Sequence, residues 1–105
     1  MNEDTEEQAA LFRALADPTR LKLVKLLSRQ REPNALCVNA LAYRLGVSQS
    51  AVSQHLRVLK AMKLVKGERR GYRVHYFINR DEINHCRTLI YSTLFTRDEK
   101  DKQQQ

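Results

Sequence analysis

The sequence predicts a mostly α-helical fold with a small β-hairpin, arranged α-α-α-α-β-β-α as a winged helix-turn-helix. Residues 41–62 indicate two short helices hinged at Gly46, the second with an apolar stripe opposite a polar, basic one. In residues 64–78 the side chains of two faces then alternate along the chain, which predicts two strands, and a further helical pattern follows. The 105 residues, 42% of them hydrophobic, are enough for one domain with a small core.

Capping signals predict the first two helices and the loop after them. Residues 5–8 have the form of a capping box followed by apolar residues at helical spacing, which predicts a first helix of about three turns. Asp17 and Pro18 then start a second helix, because Asp caps well and Pro fits the first helical position. Apolar residues from Leu21 to Leu27 give this helix a broad buried face, whereas the polar residues 29–35 predict a loop.

The third and fourth helices are predicted to form the helix-turn-helix. Gly46 ends the third helix in a left-handed conformation, and Ser48 caps the fourth. The apolar residues on one side of the fourth helix, which face the core, are Val52, Leu56, Leu59 and Met62. The polar residues that can hydrogen-bond base edges or phosphates are Ser48, Gln49, Ser50, Ser53, Gln54, Arg57 and Lys60. The alternative is an ordinary solvated surface, which the surrounding basic segment disfavours.

Residues 64–78 predict a hairpin that protrudes as a wing. Gly71 follows three charged residues and can supply the positive φ of the hairpin tip. The residues predicted to reach the flanking minor groove or the DNA backbone from this tip are Arg69, Arg70, Tyr72 and Arg73. The alternative is a charged tip that serves only solubility, since charged edges are common in sheets.

The distribution of charge favours a nucleic-acid partner. The formal net charge is +7, and residues 44–80 hold nine basic residues against Glu68 alone. An excess confined to one segment differs from a charge scattered for solubility and is typical of phosphate binding. We therefore expect double-stranded DNA as the partner. The alternative is a winged-helix protein-interaction module that binds an acidic protein and no specific DNA.

The last helix is predicted to take part in a homodimer. Asn79 can cap it, with Glu82 three residues later. Its apolar stripe needs a partner, and pairing of the first and last helices with their copies in a second subunit supplies one. The residues predicted for this interface are Leu11, Leu15, Ile83, Cys86, Ile90 and Leu94. The predicted DNA-binding domain covers residues 1–96, and the charged residues 97–105 are predicted to form a disordered tail.

The composition also disfavours several classes of protein. No run approaches the roughly 20 apolar residues of a membrane span, and the acidic start lacks a signal-peptide pattern, so we expect a cytoplasmic protein without a membrane partner. Cys37 and Cys86 form no disulfide framework and no paired-cysteine zinc motif. No nucleophile–base or paired-carboxylate combination predicts an enzyme, and His55 and His75 are interpreted as structural residues.

Residues 11–94 closely resemble the ArsR/SmtB family of winged-helix transcriptional repressors. The matching signatures are FRALADPTRL at residues 12–21, LCV at 36–38, LGVSQSAVSQHL at 45–56 and VHY at 74–76. The resemblance implies a homodimer that binds an imperfect palindromic operator and blocks transcription. It also implies release from DNA when a metal ion, a metalloid or a redox signal is sensed.

The metal sites of that family are incomplete in this chain. The soft-metal site uses Cys-Val-Cys, whereas residues 37–39 read Cys-Val-Asn, so an amide replaces one thiolate. The zinc site on the last helix has no full counterpart, although Asp81 and His85 lie one turn apart. Cys37 and Cys86 are the candidate metal ligands, and no cofactor is assigned.

The two cysteines have alternative interpretations. Cys37 lies near a helix N-terminus, which lowers a thiol pKa, so it is either a redox sensor or a simple capping residue. Cys86 belongs to the apolar stripe of the last helix and is either a packing residue or a thiol whose oxidation disturbs a dimer. The sequence leaves a metal-responsive, a thiol-responsive and an unresponsive regulator open.

Overall fold

The computed structural model of the chain describes residues 2–30 and 36–95, with side chains from Thr5 onward. The elements are α1 (Asn2–Leu15), α2 (Pro18–Arg29), β1 (Leu36–Cys37), α3 (Val38–Leu45), α4 (Gln49–Ala61), β2 (Val65–Arg70), β3 (Arg73–Ile78) and α5 (Arg80–Leu94). The predicted tail at 97–105 and most of the predicted loop lie outside the described residues. No helix within the described ranges has the length and apolar character needed to cross a membrane.

Side-chain caps start three of the helices where the sequence predicts. Asp17 accepts a hydrogen bond of 3.0 Å from the Arg20 N–H, Ser48 one of 3.0 Å from the Ala51 N–H, and Asn79 one of 3.4 Å from the Glu82 N–H. The start predicted for α1 is wrong, because the helix begins at Asn2 and Thr5 lies inside it. A capping box is a local preference of about 1 kcal/mol, which the packing of a helix against its neighbours can outweigh.

The turn between α3 and α4 is closed by Gly46 in a left-handed conformation, with φ 68° and ψ 33°, as predicted. The N–H groups of Gly46 and Val47 donate to carbonyls of the last turn of α3, which is the hydrogen-bond pattern of a Schellman motif. The end of α4 repeats this pattern with Lys63 at φ 63°. A left-handed residue therefore follows each helix of the helix-turn-helix, and the one after α4, Lys63, is not a glycine.

Within the described residues the sheet has three antiparallel strands in the order β1-β3-β2, so the prediction of a two-stranded hairpin was incomplete. β1 pairs Leu36 with Tyr76 and Cys37 with His75. Gln30 reinforces this edge, since its side-chain amide donates to the Tyr76 carbonyl at 2.6 Å and accepts from the Leu36 N–H at 3.1 Å. A strand of two residues has no periodic pattern of its own, which is why the sequence did not reveal it.

The core lies between α2, α3, α4 and the sheet, with α1 and α5 packed on one side. The largest fully buried side chains are Leu11, Leu23, Leu27, Leu41, Val52, Leu56, Leu59 and Leu64. Val52, Leu56 and Leu59 are inward-facing residues of α4, as predicted, whereas Met62 is half-buried at the helix end. This packing fixes one side of α4 and leaves the opposite side free for another molecule.

Candidate nucleic-acid interface

The outward side of α4 is a continuous polar surface. Each of its predicted contact residues is exposed: Ser48, Gln49, Ser50, Ser53, Gln54, Arg57 and Lys60. Ser48 also caps the helix, so its hydroxyl oxygen is engaged with the Ala51 N–H. Arg57 has no hydrogen-bond or ion-pair partner among the residues that the structure describes. Its five N–H donors are therefore available to an acceptor such as a guanine edge or a phosphate.

The hairpin of β2 and β3 forms the predicted wing. Arg70 pairs with Arg73 across a two-residue turn, whose first residue, Gly71, has φ 67°. A glycine with positive φ at this position is typical of a type II′ turn, which matches the twist of the strands. Tyr72 is the second residue of this turn, and its side chain is 87% exposed.

The three arginines of the wing have different environments. Arg69 and Arg73 are exposed, and the guanidinium of Arg73 lies 5.9 Å from the Tyr72 ring centroid. Arg70 is half-buried; its Nε donates to Glu68 Oε1 at 2.9 Å, and its guanidinium lies 5.0 Å from the Phe77 ring centroid. Arg70 therefore has partners within the wing, and Arg69 and Arg73 are the more available cations.

The side of α4 and the sheet meet in one depression of about 250 Å³, lined by Ser53, Leu56, Arg57, Lys60 and Tyr76. Three of these five residues belong to the polar surface of α4. The polar side of α4 is thus adjacent to the sheet that carries the wing, and Tyr76 is the sheet residue that lines the depression. This arrangement is compatible with a duplex that contacts both elements at once.

The first helix of the helix-turn-helix adds two residues that the sequence prediction did not include. Tyr43 is 88% exposed on α3, and Arg44 beside it is exposed as well. In helix-turn-helix proteins the first helix crosses the DNA backbone, where a tyrosine hydroxyl and an arginine bind phosphate. The signal available in the sequence was a tyrosine outside the apolar face of α3 and next to a basic residue.

His55 lies on the inward flank of α4 in a small polar cluster. Arg20 Nη1 lies 3.3 Å from His55 Nδ1, and Asp17 Oδ2 lies 3.8 Å from His55 Nε2. The structural interpretation of this histidine is confirmed by these contacts. The Arg20 N–H, which donates to Asp17, holds the pKa of the Asp17 carboxyl below its ordinary value, and the neighbouring His55 and Arg20 side chains act in the same direction.

Cys37 is half-buried at the N-cap of α3. The Ala40 N–H lowers the pKa of the Cys37 thiol, and so do the Asn39 N–H and the nearby Arg73 guanidinium, against a smaller opposing effect of burial. A depression of about 260 Å³ adjoins the thiol and includes Asn39 and Arg73 in its lining. His75, the cross-strand partner of Cys37, has a buried Nδ1 without a hydrogen-bond partner in the described part of the chain.

Cys86 has the opposite environment. Its side chain is 6% exposed, and burial raises the pKa of its thiol, with further contributions from Glu82 and Glu7. His85 contacts an acidic residue of α1, since its Nε2 lies 2.9 Å from Glu7 Oε2. Over residues 5–30 and 36–95, no three His, Cys, Asp or Glu side chains come together as metal ligands.

α1 and α5 border an apolar groove of about 320 Å³. Of the residues predicted for a dimer interface, Leu15, Ile83 and Ile90 are half-buried along it, and Leu94 is 62% exposed at the end of α5. Leu11 and Cys86 also line the groove but are only 1% and 6% exposed, so they belong to the core of their own chain. Phe95 extends the groove, and its ring stacks on Tyr91 at a centroid distance of 4.7 Å.

Residues 17–66 match the family described as bacterial regulatory protein, arsR family. The chain is 46% identical over 74 residues to a transcriptional repressor SmtB homolog of Synechocystis, which covers 70% of this chain and 53% of that protein. The chain thus spans about half the length of this relative.

Two solved structures share the fold. An ArsR-like transcriptional regulator from Rhodococcus superposes with a TM-score of 0.73 at 32% identity, over 94% of this chain and 87% of the other. The homodimeric winged helix-turn-helix DNA-binding domain of a possible ArsR-family regulator from Mycobacterium bovis gives a TM-score of 0.67 at 27% identity, over 85% and 80%. The predicted fold class is confirmed by these likenesses.

Proposed function

The chain belongs to the ArsR family of transcriptional regulators, and from this premise we propose that it is a homodimeric repressor that binds a palindromic DNA operator. Its family consists of regulators, which agrees with the prediction that it is not an enzyme. The observation that supports the proposal most directly is the exposed polar and basic side of α4, which lies next to the sheet that carries the wing. We place the protein in the cytoplasm, together with the DNA that it binds.

The two copies of α4 enter successive major grooves, about 34 Å apart, and the wings contact the flanking DNA. The residues that read base edges are Ser50, Ser53, Gln54 and Arg57. The residues that bind mainly phosphate are Gln49, Lys60, Arg69 and Arg73, with Tyr43 and Arg44 at the first helix. Tyr72 projects from the wing toward the minor groove, and Arg70 supports the wing through Glu68 and Phe77.

The apolar groove between α1 and α5 is the interface with a second copy of the chain in the proposed homodimer. The groove is lined almost wholly by apolar side chains, and one of them, Phe95, is 41% exposed. Exposed apolar area that is this continuous is characteristic of interaction sites. The solved relative from Mycobacterium bovis is homodimeric, which supports the same arrangement here.

Selection from a random-sequence DNA pool followed by titration tests the proposal. We expect the protein to recover a palindromic duplex and to bind it more tightly than random DNA by a factor of about 10³ or more at physiological salt. Analytical ultracentrifugation is expected to give two protomers per duplex. Absence of affinity for any duplex even at low salt contradicts the proposal and favours the protein-interaction module instead.

We further propose that the complex with DNA is regulated through the thiol of Cys37. Its lowered pKa increases the fraction of thiolate, which is the reactive form, whereas the buried Cys86 has a raised pKa. With hydrogen peroxide as oxidant, the Cys37 thiolate attacks one peroxide oxygen, the O–O bond breaks, and a sulfenic acid and hydroxide form. The modified group lies at the N-cap of α3 and beside Arg73, so it alters both the helix-turn-helix and the wing.

An operator-binding assay of wild type, Cys37→Ser and Cys86→Ser tests this regulation. Each protein is titrated with hydrogen peroxide and, separately, with arsenite, cadmium and zinc. We expect peroxide to release DNA from wild type and from Cys86→Ser, but not from Cys37→Ser. Release that persists in Cys37→Ser contradicts the thiol proposal, and release by a metal ion in all three proteins shows that a metal site exists elsewhere.

A further inference from the structure

The side chain of Arg20 connects three helices at one point. Its Nε donates to the Ala14 carbonyl, and its Nη2 donates to the Arg13 carbonyl at 3.2 Å, so the guanidinium caps the C-terminal end of α1. Its remaining nitrogen, Nη1, reaches His55 Nδ1 on α4 at 3.3 Å. Arg20 itself belongs to α2, and a planar guanidinium suits this task because its donors point in several fixed directions.

The hydrogen-bonding roles of the two His55 ring nitrogens follow from their neighbours. A guanidinium only donates hydrogen bonds, so Nδ1 of the neutral ring is the acceptor and the proton lies on Nε2. Nε2 faces Asp17 Oδ2 at 3.8 Å, and the same oxygen accepts from the Arg20 N–H at 3.0 Å. Asp17, Arg20 and His55 thus orient one another in a half-buried cluster.

The position of this cluster links the two surfaces that the proposed function requires. α1 packs mainly on α2 and α5 and contributes Leu15 to the apolar groove, whereas α4 packs on α2, α3 and β2 and carries the polar surface. The Arg20 side chain therefore bridges the end of the helix that borders the groove and the inward flank of the helix that faces DNA.

We propose that Arg20, His55 and Asp17 form a positioning site that sets the orientation of α4 relative to α1, and so the operator half-site spacing that the dimer accepts. The inference rests on the proposed function, since spacing has meaning only for a dimer on a palindrome. The residues do not touch DNA. They act by holding α4 at one angle, and loss of the bridge lets the two copies of α4 adapt to several spacings.

Operators with altered spacing provide a readout that a purely structural role would not change. The probes are the duplex selected by the wild-type protein and the same duplex with one base pair inserted at its centre. We expect wild type to prefer the native spacing by about tenfold or more, because an insertion both lengthens and rotates the second half-site. We expect this preference to fall to about threefold or less in Arg20→Lys and in His55→Leu, with affinity for random DNA unchanged.

Two further variants serve as controls. His55→Gln offers an amide oxygen to Arg20 and an amide N–H to Asp17, so we expect it to keep the preference of wild type. Arg13→Lys makes the same arginine-to-lysine change at an exposed side chain seven residues before Arg20. We expect this variant to keep the spacing preference of wild type. Circular dichroism and thermal melting check the fold of each variant. If His55→Leu unfolds, the spacing preference of Arg20→Lys, which keeps the charge, tests the inference.

The outcomes separate this inference from the function on which it rests. Wild-type protein that binds all duplexes alike removes the proposed function and the inference together. Wild-type protein that prefers the native spacing, with Arg20→Lys showing the same preference, removes the inference alone. Equal losses on native-spaced, inserted and random duplexes in Arg20→Lys also overturn it, because they indicate a general loss of the fold.

Discussion

Replacement of Arg57 by alanine probes base reading by the polar surface of α4. Arg57 is exposed and has no hydrogen-bond or ion-pair partner in the described part of the chain, so its truncation breaks no polar interaction there. One arginine–base contact contributes about 1–3 kcal/mol of discrimination, which is a factor of about 5 to 150 in affinity for each half-site. A symmetric dimer loses this contact twice, so we expect a total loss of about 2–6 kcal/mol on the operator.

Fluorescence anisotropy on two labelled duplexes measures this effect. Arg57→Ala should lower affinity for the selected operator far more than affinity for random DNA of the same length. Arg69→Ala is the matched control, because Arg69 lies exposed on the wing and is expected to bind phosphate. That variant should weaken binding to both duplexes alike and reduce the slope of log affinity against log salt by about 0.9 per protomer.

Two outcomes of this comparison would refute the assignment of Arg57 as a base-reading residue. Equal losses for Arg57→Ala on operator and random DNA, together with a reduced salt slope, identify Arg57 as a phosphate contact. No loss on either duplex places the base-reading surface elsewhere. Unfolding midpoints of both variants in urea are expected to match that of wild type, which separates effects on binding from effects on stability.

Three predictions concern stability. Gly46→Ala should destabilise the fold by about 1–2 kcal/mol, because alanine is unfavourable at φ 68°; an unchanged urea midpoint contradicts this. Lys63→Gly should stabilise it by about 1 kcal/mol, since Lys63 is held at φ 63°; a lower midpoint contradicts this. The pKa of Asp17 lies below its ordinary value of 3.8, so the ionised carboxylate stabilises the fold above that pH and this contribution is lost as pH falls through the folded-state pKa. Asp17→Asn keeps a capping side chain that does not titrate, so its stability should fall less than that of wild type between about pH 5 and about pH 2; parallel profiles contradict this.

The elements that the sequence predicted well are those specified by local signals. Asp17, Ser48 and Asn79 each cap a helix that also has a clear apolar stripe, and both signals lie within a few residues. Gly46 was predictable for the same reason, because a left-handed turn between two helices favours glycine. The polar surface of α4 followed from helical periodicity alone.

The features that were missed depend on residues distant in sequence. β1 exists because Leu36 and Cys37 meet β3 in the fold, and nothing in those two residues alone predicts a strand. The contact of Arg70 with Phe77 depends on the pairing of β2 with β3, whereas Glu68 lies only two residues away on the same strand. The bridge from Arg20 to His55 spans 35 positions of the chain, and periodicity identified His55 only as an inward-facing residue.

The short strand β1 connects the start of the helix-turn-helix to β3, the central strand of the sheet. The Gln30 side chain hydrogen-bonds to both strands, to Leu36 in β1 and to Tyr76 in β3. From these contacts we expect the surface offered to a duplex to be stiff. When a stiff protein meets DNA, the DNA must supply the deformation, and its cost depends on the local base sequence. We expect the affinity of the protein for different operators to depend partly on groove width and bendability at central base pairs that no side chain contacts.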